Sequence, residues 1–600
     1  MSRCSRWPTS RMRQRTARQE SASSRAKAGV ASWLFPANWA SWRPCEICWG
    51  GARQGTAQPV CPPGSVSSPT TTRSWACCGR PIERGCERSS RRATGVGCEG
   101  LGGEDRAAMT AAPFRMSRIG RHGVVYGAGI VLSKAAAFAM LPIYTRYLSP
   151  ADYGLLQLIQ MVLEVASIIA GSRLGAGIFR FYHKAETPDE RRAVLSTALI
   201  VLLTSYAAAA IGMYALAPYV ADFAFGSRDH TMLVRLAAAS LAFESLVLVP
   251  LAYLRVRDKS TFYVAVTTAK LVLQLTLNVV FVVHLGLAAT GVLLSTLVTN
   301  VATGAFLACY LVRDVGLRFS KGSARDLLRF GIPFIGTQVA TFILTFGDRY
   351  FLRSVSDTSA VGLYGLAYQF GFLLAMIGEV PFTTVWEPAS FEIAKRRDRN
   401  ELYARGFIYF NVVLLSVAVL IILFAGDFLR IVAAPAFRPA ADLVPVIVLA
   451  YVLQSWTIMH YIGIQIRERT EFYTLANWAG AIVALAGYAL LIPRLLGLGA
   501  ALATVAAFAV REGAVYLLSQ RLWPIRYRWG PVVRLLLVAT VVCVVGLLLP
   551  RPSLWFSLSA RGLLLLAYCG GLWHAGVLPA DDRRLLGRPR LALVTIREQR

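Results

Sequence analysis

The sequence predicts an all-α, polytopic membrane protein of about fourteen transmembrane helices. Three observations carry that prediction. The chain of 600 residues is 55% hydrophobic and 16% charged with a mean hydropathy of +0.50, too apolar for an ordinary soluble domain. From Val124 onward, apolar runs near 20 residues recur, the length that crosses about 30 Å of hydrocarbon at 1.5 Å per residue. The basic residues then fall in every second connection between those runs.

The first 108 residues stand apart. Eight of the 11 cysteines precede residue 100, and Leu34, Ile47, Ile82 and Leu101 are the whole Leu and Ile content of residues 1–108. Cys45 and Cys48 have the two-residue gap of a zinc half-site that Cys77, Cys78 and Cys86 could complete. Against this, a stretch so poor in aliphatic residues and so rich in Arg, Ser and Gly cannot bury enough apolar surface to fold. It also lacks the apolar centre of a signal peptide. The expectation is therefore a disordered or mis-assigned N-terminal extension over 1–108, with the start at Met109 or Met116. The body keeps three cysteines, Cys309, Cys543 and Cys569, too few for a disulfide framework.

Fourteen spans are expected at 124–143, 154–177, 194–218, 232–253, 262–283, 287–311, 330–349, 361–385, 406–425, 442–463, 472–492, 498–518, 531–549 and 560–577. Lys and Arg number 24 in the connections on one side and 8 on the other, Arg561 among the latter. Basic residues are retained in the cytoplasm, so both termini should be cytoplasmic, in keeping with a net charge of +30 that sits beside membrane spans and not on a nucleic-acid surface.

The body also repeats. Arg121-His122-Gly123 opens the first span and Arg329-Phe330-Gly331 the seventh; Tyr153-Gly154-Leu155 and Val361-Gly362-Leu363 open the next ones, and both glycine gaps are 31 residues. Arg146-Tyr147 and Arg349-Tyr350 close the two opening spans, out of register with the glycines. Six spans per copy require the same orientation, hence two six-helix lobes in parallel repeat, 109–315 and 316–520, followed by two C-terminal helices and a basic tail over 521–600.

Charged groups at mid-bilayer cost about 2.5–3.5 kcal/mol each on insertion scales, so each needs a partner, water or a function. Lys134, Glu164, Glu244, Lys270 and Glu379 fall within spans, with Asp348 and Arg349 near the end of the seventh. Several belong to stripes at helical spacing: Gln157, Gln160, Glu164 and Ser167; Thr267, Lys270, Gln274 and Asn278; Gln338, Thr341, Thr345 and Asp348. One outcome is a hydrophilic central cavity in which Lys134, Arg173 and Arg349 hold a pyrophosphate. The other is a bundle glued by interhelical ion pairs, Glu244 with Lys270 for example. Glu164, Glu379 and Asp348 are the candidates for proton or cation coupling. His284 and His460 read as interfacial or packing residues, and Arg511 with Glu512 as structural. No Walker loop, zinc-protease motif or nucleophile elbow is present, so neither an enzyme, a cofactor nor a metal site is expected.

The segment Leu141-Pro-Ile-Tyr-Thr-Arg-Tyr-Leu-Ser-Pro-Ala-Asp-Tyr-Gly154 resembles the first-loop signature of the polysaccharide biosynthesis, or oligosaccharide-lipid flippase, family, in the superfamily of multidrug and toxin extrusion transporters. Leu328-Arg-Phe-Gly-Ile-Pro-Phe334, Gly347-Asp-Arg-Tyr-Phe-Leu352 and Val361-Gly-Leu-Tyr-Gly-Leu-Ala-Tyr368 resemble the opening of its second lobe, and the likeness covers roughly 116–520. The resemblance implies a flippase that moves polyprenyl-pyrophosphate-linked oligosaccharide (O-antigen, capsule or exopolysaccharide units) across a bacterial inner membrane by alternating access. It puts Lys134, Arg173, Asp348 and Arg349 at the cavity wall. The implied partners are that lipid-linked substrate, membrane lipids and polysaccharide polymerase machinery, with no nucleic acid. Two alternatives remain at this level, a cation-coupled multidrug antiporter of the same superfamily and a membrane polysaccharide polymerase or ligase.

Overall fold

The structure is a computed structural model that describes residues 138, 140–171 and 174–576. All of these lie in one compact unit, Leu101–Arg600. The expected extension over 1–108, most of the first span and the basic tail fall outside the described residues.

Every regular element among the described residues is helical. In chain order they are α1 (Leu141–Tyr147), α2 (Pro150–Ile169), α3 (Leu174–Lys184), α4 (Pro188–Ala215), α5 (Ala217–Phe225), α6 (Thr231–Val256), α7 (Ser260–Asn278), α8 (Ala288–Val315), α9 (Lys321–Gly331) and α10 (Phe334–Val355). There follow α11 (Thr358–Leu374), α12 (Val380–Ile393), α13 (Arg399–Val432), α14 (Val444–His460), α15 (Ile462–Ile466), α16 (Glu471–Leu522), α17 (Trp529–Leu548) and α18 (Leu554–His574). Eleven described helices, counting those that run on through short breaks, are long and apolar enough to cross a membrane; α9 with α10, bent by 43° around Pro333, makes a twelfth. The 52-residue α16 contains a break at Leu496 (φ 49°, ψ −126°), where expected spans 11 and 12 join.

Local sequence explains where these helices start. Ser149-Pro150-Ala151-Asp152 forms a reciprocal capping box: Ser149 Oγ accepts from the Asp152 N–H at 3.1 Å and Asp152 Oδ2 accepts from the Ser149 N–H at 3.1 Å. Thr187 and Glu190 repeat the device at α4, and the Asp357 carboxylate caps α11 at the Ala360 N–H, 2.9 Å away. Two boundaries differ from expectation. Span 2 breaks at Gly171 (φ 87°), a left-handed residue that ends the straight helix and starts α3 as a separate segment. The connection after span 3 is itself helical, as α5.

In the first half, α4, α6 and α8 pack along one another; in the second, α10, α14 and α16 do the same, and the halves meet chiefly where α2 lies along α11. One apolar core runs through both. The final pair, α17 and α18, docks on α13. Here the structure corrects a placement. Arg561, assigned by hydropathy to an outer connection, is 1% exposed inside α18, and Asp427 of α13 is 0% exposed opposite it, Nη1 to Oδ2 at 3.2 Å. Ser557 Oγ donates to Asp427 Oδ1 at 2.6 Å, and Arg561 Nη2 donates to the Gly546 carbonyl at 3.2 Å. A buried pair loses far more from removal of one member than it contributes intact. Arg561→Ala should therefore lower thermal stability in detergent by roughly 3–5 kcal/mol, and Asp427→Asn combined with Arg561→Met should recover most of it. Equal unfolding temperatures for the single and double variants would refute the pairing.

Candidate functional site

The seam between the halves is built from helix backbones that touch. A Cβ placed on Gly154 of α2 would lie 1.9 Å from the Thr358 carbonyl oxygen, and one on Gly362 of α11 would lie 2.0 Å from the Pro150 oxygen. The two glycines that mark the sequence repeat are thus the residues at which α2 and α11 cross. Farther along the same contact, Gly365 leaves room for Gln157, whose Cγ would sit 2.5 Å from an added Cβ.

Through that gap Gln157 reaches Arg349. Arg349 Nε donates to Gln157 Oε1 at 3.3 Å, and Nη1 donates to Asp348 Oδ1 at 3.1 Å and to the Thr345 carbonyl at 2.7 Å. The guanidinium lies 4.4 Å from the centre of the Tyr368 ring and 5.1 Å from that of Phe346. Asp348 Oδ2 accepts from Tyr364 Oη at 2.7 Å. The carboxylate is 0% and the guanidinium 1% exposed. The pair expected at an open cavity wall is, in this conformation, enclosed in the seam. The physical reason is that two charges removed from water must satisfy each other and their remaining donors and acceptors.

A cavity of about 120 Å³ lies on the basic-loop side of this pair, lined among others by Ile168, Gly171, Ser205, Leu328, Ile332 and Gln338. The halves meet again beyond it, where Phe181 of α3 packs edge-on against Phe330 of α9 at 5.8 Å and Arg180 covers the same ring at 5.2 Å.

At the far end, away from the basic loops, two arginines bind helix ends across the seam. Arg146, after the first span, donates to the Val432 carbonyl at the end of α13 at 3.4 Å. Arg353, near the end of α10, donates to the Phe225 carbonyl at the end of α5 at 3.1 Å. Both carbonyls carry the negative end of a helix dipole. These contacts nearly repeat with the chain, since 146 and 353 are separated by 207 positions and so are 225 and 432. Phe223 stacks on Tyr350 beside the second latch at 4.8 Å. The sequence marks Arg146 but pairs it with Arg349, whereas the latches pair it with Arg353; neither carbonyl partner is marked, because each is remote in the chain.

The remaining candidates divide. Lys134 and Arg173 lie outside the described residues. Glu164, Glu244 and Lys270 are half-buried and act on one another electrostatically around Tyr206, whose hydroxyl lies 3.1 Å from Ser167 Oγ. Glu244 and Lys270 do not close to a nitrogen–oxygen contact within 4.0 Å. Part of the α7 stripe serves as glue: Gln274 donates to Ser295 and Thr296 of α8 at 2.9 and 3.0 Å, and Asn278 donates to Tyr144 Oη at 2.8 Å. Glu379 ends a π-helical turn, Ala375–Glu379, that interrupts the span from α11 to α12, and accepts from Ser455 Oγ at 2.6 Å. His460, Arg511 and Glu512, read from sequence as packing and structural residues, join a buried polar network on α14 and α16.

Two packed helical halves, with eleven described helices long and apolar enough to cross a membrane and a bent pair that makes a twelfth, define a multi-pass membrane fold. Residues 119–394 match the family model described as polysaccharide biosynthesis protein. A solved structure of the lipid II flippase MurJ in an inward closed conformation is similar over 75% of this chain and 99% of its own, with a TM-score of 0.61 and 13% identity. An inward-facing multidrug resistance transporter of the MATE family, MOP superfamily, is similar over 65% and 94%, with a TM-score of 0.51 and 16% identity. No curated protein matches by sequence. At these identities the two structures establish a shared fold.

Proposed function

We propose that the protein is a flippase that carries a polyprenyl-pyrophosphate-linked oligosaccharide, a repeat unit of O-antigen, capsule or exopolysaccharide, across the bacterial inner membrane by alternating access. The observation that carries this reading is the seam. The two halves meet along α2 and α11 and again toward both ends of the seam, through crossed glycines, an aromatic pair and two arginine latches, with a small, mostly apolar cavity beside the crossing. The polysaccharide biosynthesis match, 119–394, covers the crossed glycines, the aromatic pair and the Arg353 latch. Opening at one end while the other stays shut would expose the interior first to one leaflet and then to the other. Lys134 and Arg173, together with Arg349 once the seam opens, are the cations offered to the pyrophosphate. Both termini face the cytoplasm, and the polymerase that consumes the exported unit is the expected partner.

Deletion of the gene should abolish surface polymer while drug sensitivity is unchanged, and the intact gene in trans should restore the polymer. A broad gain in drug sensitivity with normal polymer would favour instead the antiporter reading that the MATE-like fold supports.

A further inference from the structure

The second half contains a buried charge cluster that the seam does not use. His460, at the end of α14 and 1% exposed, makes a short contact through Nδ1 with Glu512 Oε1 of α16. Its imidazole sits among Phe407, Tyr516, Tyr527 and Trp529, whose ring centres lie 5.0, 5.0, 4.8 and 5.8 Å away. Next to it, Arg511 Nη2 donates to Gln454 Oε1 at 2.9 Å. Three buried atoms of this group have no hydrogen-bond partner: His460 Nε2, Glu512 Oε2 and Arg511 Nε. Orphan donors and acceptors at this depth are costly and call for an explanation.

The charge count points the same way. Tyr451, on α14, lies in the electrostatic field of Asp348, Arg349, Glu379 and Arg511, and Arg511 in that of Glu379 and Glu512. The connected cluster therefore holds three acids and two arginines. With His460 neutral its formal charge is −1, and one added proton brings it to zero. A low-dielectric interior favours the neutral total. Asp348 is already satisfied by Arg349 and Tyr364, and of the two remaining acids Glu512 is the one in direct contact with a second titratable side chain, which points to the His460–Glu512 contact as the place that holds the proton. A metal ion fits less well, because among the described residues no three His, Cys, Asp or Glu side chains converge.

We infer that His460 and Glu512 form a site for one exchangeable proton, and that its occupancy couples proton movement to opening of the seam. The proton enters from water at the basic-loop end, where α14 gives way to α15 and then to Arg467 and Arg469, and is held on the imidazole or the carboxylate. The groups facing the pair are Arg511 and Tyr516 of α16, Tyr527 ahead of α17, and Tyr403 of α13, which acts on Tyr527. Along α14, Tyr451 and Ser455 connect the site to Glu379 and to the Asp348–Arg349 pair. Only the coupling step rests on the flippase reading; proton binding does not.

Infrared difference spectra of the purified chain in lipid nanodiscs, with ring-labelled histidine, are the test. A labelled imidazole and a buried carboxyl should change protonation together as the pH is varied. Glu512→Gln should remove the carboxyl band and lower proton uptake by about one per chain, and Glu512→Gln with His460→Gln should lower it no further, because the two groups share one proton. Spectra of the wild type in which neither a labelled imidazole nor a buried carboxyl titrates would overturn the site, and this comparison needs no variant to fold. In liposomes, flipping by the wild type should respond to an imposed pH gradient and that by His460→Gln should not. Wild-type flipping that ignores the gradient would overturn the coupling. Absence of flipping altogether would overturn the flippase reading and leave the proton count to stand or fall by itself.

Discussion

Arg349→Ala should both eliminate surface polymer and lower thermal stability by roughly 3–5 kcal/mol, the usual cost of leaving one member of a buried ion pair uncompensated. The loss is large because the guanidinium contacts Asp348, Gln157, the Thr345 carbonyl and the Tyr368 and Phe346 rings at once. Asp348→Asn combined with Arg349→Gln removes the unpaired charge and should recover most of the stability, as read by thermal unfolding in detergent. Polymer should stay absent in the double variant, because the cation itself is missing when the seam opens. If the double variant regained both stability and polymer, Arg349 would be a structural residue alone.

Gly154→Ala should shift the chain away from the closed seam. An added methyl carbon 1.9 Å from the Thr358 oxygen, with that backbone fixed in α11, forces the helices apart by more than an ångström. Overpacking of this kind costs about 1–3 kcal/mol, occasionally more. If the strain falls on the closed state alone, the equilibrium moves by roughly 5–150-fold. Gly362→Ala meets the Pro150 oxygen and should act in the same direction. The two substitutions share one crossing, so their effects should not add. Spin labels at Asp229 and Ala436, both exposed at the end away from the basic loops, should report a longer distance in either variant. An unchanged distance distribution would show that the Gly154–Gly362 crossing does not hold the halves closed.

Much of this arrangement is legible in the sequence because it is written at short range. Twenty-residue apolar runs give the helices, and Ser149 and Thr187 their starts; of the polar stripes, Gln157 and Asp348 are buried while Gln160 is exposed. What stayed hidden depends on partners far apart in the chain. Asp427 and Arg561 each look like loop residues, since an isolated charge is expelled from a hydropathy window. Together, 134 positions apart, they bury each other between α13 and α18. Neighbours on a helix diverge by about 100°, so Asp348 and Arg349 read as two cavity residues until Arg349 is seen folded back onto its neighbour. His460, Arg511 and Glu512 likewise look ordinary on their own spans, and their shared charge imbalance emerges only when α14 meets α16. The glycine repeat was visible as a spacing of 31 residues, but not that Gly154 and Gly362 would touch.

The most direct test is transbilayer movement itself. Purified protein in liposomes containing a fluorescent polyprenyl-pyrophosphate oligosaccharide should bring the inner-leaflet label within reach of a membrane-impermeant quencher much faster than protein-free liposomes do, and Arg349→Ala should return the rate to the protein-free value. Equal rates with and without a folded wild-type protein would contradict the account at its centre.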